Sequence, residues 1–368
     1  MGGQAAALRS VVVVGTGLIG TSVALAVRDR GVSVWLADRD PAAVRLAADL
    51  GAGRPLPATG LPDGPADVAV FAVPPAAVAE ELHGAQSRQL ARSYTDVASV
   101  KQLPLAVAAQ LGCDLSTYLP GHPLSGRERS GPAAARADLF VGRPWVICPQ
   151  PATSTTTIDL VTRLAEACRA VLVSVPAAEH DQWVALVSHA PHVVAAAMAA
   201  RLEHAPEAAL ALAGQGLRDV TRIAASGTGM WAQILAANAG SVGPVLRQVA
   251  ADLTAAADAL DCVDGGGEQA IKQVVELLER GSDGVSRIPG KHGGPARGFV
   301  PIQVVIPDQP GELARLFQAA GAAGVNIEDI TIEHSPGLPV GVAELWVRPE
   351  ESGKLSDVLA DSGWPVRR

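Results

Sequence analysis

The chain has 368 residues, of which 48% are hydrophobic and 18% are charged, and its formal net charge is −8. This length predicts two or three domains, and the composition excludes a disordered chain. The acidic balance argues against nucleic acid as a partner, because phosphate binding requires a basic surface.

The cysteines are scattered along the chain, at Cys113, Cys148, Cys168 and Cys262. None has the spacing of a metal site or of a disulfide framework, so we expect thiols in a reducing compartment and no bound metal. No stretch near the N-terminus has the length of a signal peptide or a membrane span, and the alanine-rich run 192–200 is flanked by polar residues. These features predict a cytoplasmic protein without a membrane partner.

The first half of the chain alternates short β-branched runs with helical stretches. The predicted strands cover residues 11–14, 32–37, 67–73, 94–97 and 145–148, and the predicted helices cover 18–30, 41–50, 75–83 and 103–111. The run 68–73 is apolar at every position, which is typical of a strand covered on both faces in a parallel sheet. The alternation predicts a doubly wound α/β domain of the Rossmann type over residues 1–176.

From residue 177 onward only helical patterns remain, at 177–202, 208–224, 230–239, 242–260 and 271–280. They predict an all-α domain over residues 177–281. Because helices that are apolar on several faces usually pack against a partner, we expect this domain to form a homodimer.

The last part of the chain begins with a segment rich in glycine and proline, residues 282–298, which predicts a linker. Strand patterns follow at 300–306, 326–334 and 340–347, and helical patterns at 311–323 and 351–362. They predict a small α+β domain over residues 299–368.

A glycine-rich turn, Gly-Thr-Gly-Leu-Ile-Gly from Gly15 to Gly20, joins the first strand to the first helix. This is the context of a dinucleotide-binding loop, in which the glycines allow a tight turn, a close approach of pyrophosphate and close packing of helix on strand. The pyrophosphate would lie at the helix N-terminus. The predicted cofactor-binding residues are Gly15, Gly17, Leu18, Ile19, Gly20, Asp38, Arg39 and Val73.

Asp38 decides which dinucleotide is expected. It ends the second predicted strand, where a carboxylate can accept hydrogen bonds from the adenosine ribose hydroxyls and would repel a 2′-phosphate. The sequence therefore favours NAD over NADP. Arg39, the next residue, keeps NADP as an alternative.

His122 is the leading candidate for a catalytic base. It lies in the segment GHPLSG at the end of a predicted strand, where the following proline constrains the backbone, and an imidazole can accept a hydroxyl proton near neutral pH. Ser99, in the segment DVASVK after another predicted strand, is expected nearby as its hydrogen-bonding partner.

The helical region adds the segment SHAPH, Ser188 to His192, on a helix that Pro191 should kink. Arg222 follows downstream, and arginine is the preferred side chain for a carboxylate because its planar guanidinium binds both oxygens.

Taken together, the glycine-rich turn, DVASVK, GHPLSG, SHAPH, the segment TRIA at 221–224, GMW at 229–231 and Asn238 resemble the motifs of the prephenate and arogenate dehydrogenase family. Their order and approximate spacing match over roughly residues 10 to 260. The resemblance implies a Rossmann domain followed by a helical dimerisation domain. It also implies an NAD-dependent oxidative decarboxylation of prephenate to 4-hydroxyphenylpyruvate in tyrosine biosynthesis, without a metal.

The resemblance implies roles for the candidate residues. His122 would accept the proton of the ring hydroxyl, and Ser99 would bind that hydroxyl or orient His122. Arg222, His192 and Ser188 would bind the substrate, and which carboxylate each one holds stays open. Two arginines in the charged segment after GHPLSG, Arg127 and Arg129, either add to substrate affinity or are solvated.

The segments DQPG at 308–311 and GVNIEDI at 324–330 resemble those of an ACT domain, a ferredoxin-like amino-acid-sensing domain. The turn exposes the first N–H groups of the next helix, which can bind an amino acid's carboxylate. The resemblance implies a regulatory site at Asp308, Gly311 and Asn326, with tyrosine as the expected effector. A dimerisation module without a ligand is the alternative.

Other functions stay open at this point. The same residues would serve arogenate, which has an amino group in place of the keto group. A β-hydroxy-acid or imine dehydrogenase would use a catalytic lysine or aspartate in the helical region, where Lys272 is the only lysine and comes well after the motifs. An inactive regulator that binds NAD and an amino acid would not need the combination of His122, Ser99 and Arg222.

Overall fold

The computed structural model of the chain describes residues 7–125, 131–263, 268–289, 298–334 and 339–367. The chain divides into two units, residues 1–249 and 250–368. The first unit carries an α/β domain and most of the helical region. The second carries the remaining helices and a small α+β domain.

The strands of the main sheet are β1 (Ser10–Val14), β2 (Ser33–Ala37), β3 (Arg54–Pro55), β4 (Ala66–Phe71), β5 (Ala91–Asp96) and β6 (Tyr118–Leu119). Their order is β3-β2-β1-β4-β5-β6, and neighbouring strands are parallel. β4 is buried throughout because helices cover both faces of the sheet. The predicted Rossmann domain is confirmed, and its strand order reverses beside β1, where ligands bind in such sheets.

The helices packed around this sheet are α1 (Leu18–Arg28), α2 (Pro41–Asp49), α3 (Val78–Ser87), α4 (Gln102–Gln110) and α5 (Thr155–Ala167). The side chains of Asp40 and Ser154 cap α2 and α5 by accepting hydrogen bonds from backbone N–H groups. The first four helices confirm the prediction to within a few residues. The sequence did not predict α5, whose first turn consists of threonines.

A second, smaller sheet contains β7 (Gly121–Pro123), β8 (Pro144–Ile147) and β9 (Val171–Ser174), in that order. β7 is antiparallel to β8, and β8 is parallel to β9. His122 therefore lies in the middle of a short strand, and the prediction that it follows the carboxyl end of a strand was wrong. Pro120 separates β6 from β7 and carries the chain from the main sheet to the second one.

The helical region contains α6 (Ala177–Val184), a π-helical turn (Ala185–His189), α7 (Ala190–Ala200), α8 (Glu207–Leu210), α9 (Gln215–Thr221), a 3₁₀ turn (Arg222–Ala225), α10 (Thr228–Ala237), α11 (Ala239–Asp261) and α12 (Glu268–Ser286). The irregularity predicted at Pro191 occurs as the π-helical turn just before α7. The single helix predicted over 208–224 is divided into shorter pieces. α12 continues to Ser286, so the predicted linker start at residue 282 lies inside a helix, and residues 290–297 lie outside the described residues.

Among the described residues, the stretch Ala177–Ala200 is the one helix long and apolar enough to cross a membrane. Length and composition alone also fit the core helix of a water-soluble domain. The stretch carries buried polar side chains, His180, Asp181, His189 and His192. Since these side chains contact other parts of the protein, we infer that one face of the stretch packs inside the helical region.

The C-terminal domain contains β10 (Val300–Pro307), α13 (Glu312–Ala322), β11 (Asp329–His334), β12 (Val340–Val347), α14 (Pro349–Asp361) and β13 (Val366–Arg367). The sheet order is β11-β12-β10-β13, with antiparallel neighbours. Its core consists of apolar side chains from β10, β12 and both helices, including Val304, Leu316, Leu345 and Leu355. The small α+β fold is as predicted. The structure adds β13, which has only two residues and therefore too short a pattern to be predicted from the sequence.

Candidate active site

The glycine-rich turn lies at the carboxyl end of β1. A Cβ atom on Gly15 would lie 2.2 Å from the carbonyl oxygen of Ala72, and one on Gly20 would lie 1.9 Å from the oxygen of Gly15, so neither position accepts a side chain. Gly17 differs, because within the described residues no atom lies within 4 Å of such a Cβ. α1 starts at Leu18 without a side-chain cap, which leaves its first N–H groups for an anion. The turn therefore fits the pyrophosphate of a dinucleotide.

Asp38 directly follows β2 and binds the glycine-rich turn. Its Oδ2 accepts hydrogen bonds from Thr16 N at 2.6 Å and Thr16 Oγ1 at 3.0 Å, and its Oδ1 accepts one from Asp40 N at 2.9 Å. Burial raises the pKa of Asp38, but these hydrogen bonds outweigh it and hold the pKa below its ordinary value. Asp38 is therefore ionised at neutral pH, and Oδ1 keeps acceptor capacity for a ribose hydroxyl.

The other predicted cofactor residues surround the same turn. Ile19 is half-buried in the first turn of α1, and Arg39 is exposed beside Asp38. Val73 follows β4, and its Cγ1 atom would lie 3.3 Å from a Cβ on Gly15. These residues lie at the carboxyl edge of the sheet, where the sequence predicted the cofactor.

A cavity of about 850 Å³ adjoins Asp38 and is large enough for an adenosine group. Its walls include Pro41, Arg45, Leu56, Thr59 and Leu61. Sequence reasoning missed these residues because most of them belong to a connection without periodicity, which carries no signal of its own. The cavity supports the same assignment as the glycine-rich turn.

His122 lies on β7, half-buried, and its hydrogen-bonding partner is another histidine. Nδ1 of His122 lies 2.9 Å from Nε2 of His180, and Nδ1 of His180 lies 2.8 Å from Oδ1 of Asp181. Asp181 also accepts hydrogen bonds from the backbone N–H groups of Lys101 at 2.8 Å and Gln102 at 2.9 Å. His180 and Asp181 are buried and lie on α6. A chain of three polar side chains therefore ends at His122.

The charge of Asp181 determines which nitrogen of His122 carries the proton. Burial raises the pKa of Asp181, but the hydrogen bonds from His180 and from the two backbone N–H groups outweigh it and lower the pKa. The ionised carboxylate can only accept, so Nδ1 of His180 donates to it, and the neutral form of His180 then accepts through Nε2 from Nδ1 of His122. The Nε2 atom of His122 is then the nitrogen with a lone pair. A base with this tautomer can take a proton through Nε2.

A buried ion pair supports the strand that carries His122. The Lys101 ammonium and the Asp96 carboxylate are fully buried and bonded to each other, and the ammonium also donates to the carbonyl oxygen of Gly121. The other oxygen of Asp96 accepts a hydrogen bond of 2.6 Å from the Tyr118 hydroxyl. The hydrogen bond from the Lys101 ammonium to Gly121 therefore tethers the backbone directly beside His122.

The surroundings keep His122 neutral. Burial lowers its pKa well below the ordinary value, and the positive charge of Lys101 lowers it further. Because the neutral form is the proton acceptor, His122 is ready to act as a base at neutral pH.

A second group of aromatic and polar side chains lies on the π-helical turn, on α7 and at the end of α10. The rings of His192 and Trp231 are stacked, with centroids 3.6 Å apart and planes at 9°. Nδ2 of Asn238 donates to the backbone oxygen of Asp181 at 2.8 Å and contacts Nδ1 of His189 at 3.1 Å. Burial lowers the pKa of His189 to about 4, and it also lowers the pKa of His192. Both rings are neutral at pH 7, and Asn238 ties their helix to the end of the His122 chain.

The remaining predicted residues lie around these groups. Ser99 is half-buried between β5 and α4, and within the described residues its hydroxyl has no hydrogen bond. The sequence predicted Ser99 as the hydrogen-bonding partner of His122, but in the structure this partner is His180. Ser188 is exposed on the π-helical turn. Arg222 is exposed at the start of the 3₁₀ turn, which packs against α7. Arg127 and Arg129 lie outside the described residues.

Sequence reasoning missed His180, Asp181 and Lys101 as parts of the site. His180 and Asp181 stand side by side in a stretch that otherwise predicts an ordinary helix, and the contact to His122 spans 58 residues of sequence. Lys101 belongs to the motif DVASVK, but nothing in the motif indicates that its ammonium is buried. Within the described residues, no group of three or more His, Cys, Asp or Glu side chains is arranged to hold a metal ion.

Two family models match the chain. The model described as the prephenate dehydrogenase nucleotide-binding domain matches residues 23–174, and the model described as the prephenate dehydrogenase dimerization domain matches residues 176–279. The chain belongs to the prephenate dehydrogenase family. It is therefore an NAD-dependent oxidoreductase, and the glycine-rich turn and Asp38 are the parts of the chain that fit this cofactor.

Similar proteins cover nearly the whole chain. A probable prephenate dehydrogenase of Streptomyces niveus, NovF, is 39% identical over 364 residues, which are 98% of this chain and 99% of that protein. The prephenate dehydrogenase of Bacillus subtilis is 26% identical and covers 88% of each chain. These family members extend the likeness beyond the dehydrogenase domains and into the C-terminal part of the chain.

A solved structure of the family supports the fold. The crystal structure of prephenate dehydrogenase from A. aeolicus, in complex with hydroxyphenyl propionate and NAD⁺, is 26% identical with a TM-score of 0.65. The match covers 99% of that protein but 76% of this chain. About a quarter of the present chain therefore has no counterpart in the A. aeolicus structure.

Proposed function

We propose that this chain oxidises prephenate with NAD and releases 4-hydroxyphenylpyruvate and carbon dioxide. The observation that carries the proposal is the chain from Asp181 through His180 to His122, which leaves a neutral imidazole with its basic Nε2 available. The 39% identity to the probable prephenate dehydrogenase of Streptomyces niveus supports the same substrate.

In this reaction Nε2 of His122 takes the proton of the ring hydroxyl as the ring carbon is oxidised. NAD, when bound, supplies the acceptor for the hydride. Loss of the ring carboxylate as carbon dioxide then gives an aromatic ring, which drives the reaction. Ser99 hydrogen-bonds the same hydroxyl, for which its half-buried position without another side-chain partner in the described residues is suited. Proton removal by a positioned base typically contributes a factor of about 10²–10⁴.

His192, Arg222 and Ser188 bind the anionic part of the substrate. The 3₁₀ turn that begins at Arg222 packs against α7, which carries His192, so both side chains belong to one local structure. A guanidinium can bind both oxygens of a carboxylate, and the neutral imidazole of His192 can donate one N–H.

Asp38, ionised at the end of β2, favours NAD over NADP, and Arg39 beside it is the group that would accept a 2′-phosphate.

The test is formation of NADH by the full-length chain, with prephenate and arogenate supplied separately and with NAD and NADP compared. We expect turnover of prephenate with NAD. Turnover of arogenate alone would contradict the proposed substrate, and absence of turnover with either would contradict the reaction.

The residue assignment is tested by His122→Asn, for which we expect a loss of about 10²–10⁴-fold in kcat. His83→Asn, which changes an exposed histidine on α3, is the matched control and should leave kcat unchanged. Equal activity of the two variants would contradict the role of His122.

The helical region forms a homodimer. Several apolar side chains on its described helices are exposed in a single copy, including Trp183 at 51%, Leu186 at 60%, Val187 at 70% and Met230 at 60%. A second copy would remove this apolar surface from water, and the matched family model is described as a dimerization domain. Light scattering should give twice the mass of one chain.

The enzyme is expected in the cytoplasm, in agreement with its free cysteines.

The C-terminal domain is an ACT domain that binds tyrosine. Support comes from the sheet order β11-β12-β10-β13 and from the turn before α13, where Gly311 has a φ of 93°. Asp308 is exposed at this turn, and Asn326 is exposed before β11, with its Nδ2 2.8 Å from Glu328 Oε1. Calorimetric titration with tyrosine should show binding that is weakened by Asp308→Ala, whereas Asp357→Ala, on α14, serves as the control. No binding of tyrosine would reduce the domain to a structural module.

A further inference from the structure

The amino edge of the main sheet holds a second cavity, with a volume of about 650 Å³. It is bordered by the first residues of several strands, among them Ser10 of β1, Ser33 of β2 and Arg54 of β3. The glycine-rich turn and Asp38 follow the carboxyl ends of β1 and β2. The cavity therefore opens at the amino edge of the sheet. It shares Leu61, Gly64 and Pro65 with the wall of the cavity beside Asp38, but the proposed reaction makes no use of its arginines.

The charge around this cavity is opposite to that of the whole chain. The lining contains Arg9, Arg28, Arg54 and Arg92 but only two acidic residues, Asp63 and Asp67. The full chain carries a net charge of −8. Most charged surfaces carry both signs in similar numbers, whereas this lining has twice as many arginines as acidic residues. Its local positive potential attracts anions.

The acid nearest these arginines is already bound to the backbone. Asp67 is buried, and its Oδ2 accepts hydrogen bonds from Arg9 N at 2.8 Å and Ser10 N at 3.0 Å. Its other oxygen lies 3.8 Å from Nη1 of Arg92, whose side chain is 59% exposed. An ion pair of this length and exposure contributes little. Asp67 therefore holds the starts of β1 and β4 together and leaves the guanidinium of Arg92 largely available.

The other arginines also keep donors for a ligand. Nη1 of Arg28 donates to the backbone oxygen of Gly51, which orients this guanidinium and uses one of its five N–H groups. Within the described residues, the guanidiniums of Arg9 and Arg54 have no hydrogen-bond or ion-pair partner. Arg54 is also the strand neighbour of Trp35, a half-buried residue of the same lining.

We propose that this cavity, defined by Arg9, Arg28, Arg54 and Arg92 and called the arginine cavity, binds a small organic anion with at least two negative charges. Guanidiniums bind carboxylate and phosphate oxygens in pairs, and several of them around one cavity match a ligand with several such groups. The volume lies in the range of small-molecule sites. Carboxylate and phosphate share this chemistry, and the choice of probes distinguishes them.

The test is calorimetric titration of the full-length chain saturated with NAD, using inorganic pyrophosphate and citrate as separate probes at low ionic strength. Saturation with NAD blocks the glycine-rich turn, where pyrophosphate would otherwise bind. We expect binding of at least one probe. Binding of pyrophosphate alone identifies a phosphate ligand, and binding of citrate alone identifies a carboxylate ligand.

Arg54→Ala and Arg9→Ala should each weaken binding about tenfold or more, because each removes charge-assisted hydrogen bonds. Both side chains are exposed, so the fold and the affinity for NAD should be retained. Arg163→Ala is the matched control, since it removes an arginine on α5 that pairs with Asp159 at 2.9 Å, outside the cavity lining. The proposal is overturned if neither probe binds, or if the control variant weakens binding as much as the other two.

Discussion

The sharpest test of the site is Asp181→Asn, because Asp181 is two side chains away from the reacting atoms. The carboxylate accepts hydrogen bonds at both oxygens, from His180 and Lys101 N at Oδ1 and from Gln102 N at Oδ2. An amide has one oxygen, so its NH₂ group must face a donor in either orientation. The substitution leaves the size of the side chain unchanged but removes the charge that fixes the tautomers of His180 and His122.

The expected loss follows from these contacts. A hydrogen bond to a charged group contributes about 1.5–3 kcal/mol, which corresponds to a factor of about 10–150 in rate if it is lost at the base. We therefore expect kcat with prephenate to fall within this range. The KM values for prephenate and NAD should change little, because Asp181 touches neither the glycine-rich turn nor the exposed Arg222 within the described contacts. Initial rates of NADH formation over a range of both substrates measure all of these parameters.

The variant also leaves a buried donor unpaired, which should destabilise the fold by about 1–3 kcal/mol. Thr157→Val separates this effect from catalysis. Thr157 is buried and hydrogen-bonded to Ser93 Oγ at 3.2 Å and to Ser116 O at 3.1 Å, with no contact to the His122 chain. It should lose similar stability and keep its kcat. If Asp181→Asn is folded, binds NAD and keeps kcat within about twofold of the parent chain, the tautomer argument is refuted.

Further predictions concern the base, the aromatic stack and the cofactor turn. Because the pKa of His122 is lowered, kcat/KM should stay constant as the pH falls from 8 to 6.5 and decline only below that, and a half-loss at or above pH 6.5 would contradict its neutral state. Trp231→Ala should raise the KM for prephenate about threefold to tenfold, because it removes the stack that positions His192 and such a stack contributes about 0.5–1.5 kcal/mol. Trp231→Phe keeps an aromatic ring at this place and should bring the KM most of the way back to that of the parent chain. Gly17→Ala should keep the thermal unfolding temperature and weaken NAD binding, because its Cβ enters open space. Gly20→Ala should lower the unfolding temperature, because its Cβ would lie 1.9 Å from a backbone oxygen. Equal unfolding temperatures of the two variants would show that the turn can relax around the added Cβ.

The parts of the fold that were predictable are those with a local pattern. β1 and β4 are apolar at nearly every position because helices cover both faces of the sheet, and so short an apolar run between turn residues is typical of a buried parallel strand. β7 could not be predicted, since three residues that include a proline have neither periodicity nor strand propensity. β9 is partly exposed and only four residues long, so its pattern is equally weak.

The site was predictable to the extent that single residues carry chemistry. Asp38 directly follows a strand and His122 lies within a short one, and each has a function that its residue type suggests. The partners of His122 could not be predicted, because a histidine and an aspartate on a helix look like solvent-exposed residues until the tertiary fold buries them. The contact that defines their role joins α6 to β7, and a single sequence contains no record of contacts at that distance.

The π-helical turn Ala185–His189 sets the angular relation between the two halves of the site. Asp181 and His189 are eight residues apart, and in a regular α-helix at about 100° per residue they would point about 80° away from each other. A π turn takes up one additional residue without rotating the helix further, which reduces this angle to about 20°. The turn thus acts as a one-residue insertion: a regular helix of the same length would turn His189 away from Asp181, whereas deleting one residue would regularise the helix and keep the two aligned. In a chain of this length, the position of His189 on the same helix face as Asp181 depends on helix periodicity being broken at this place.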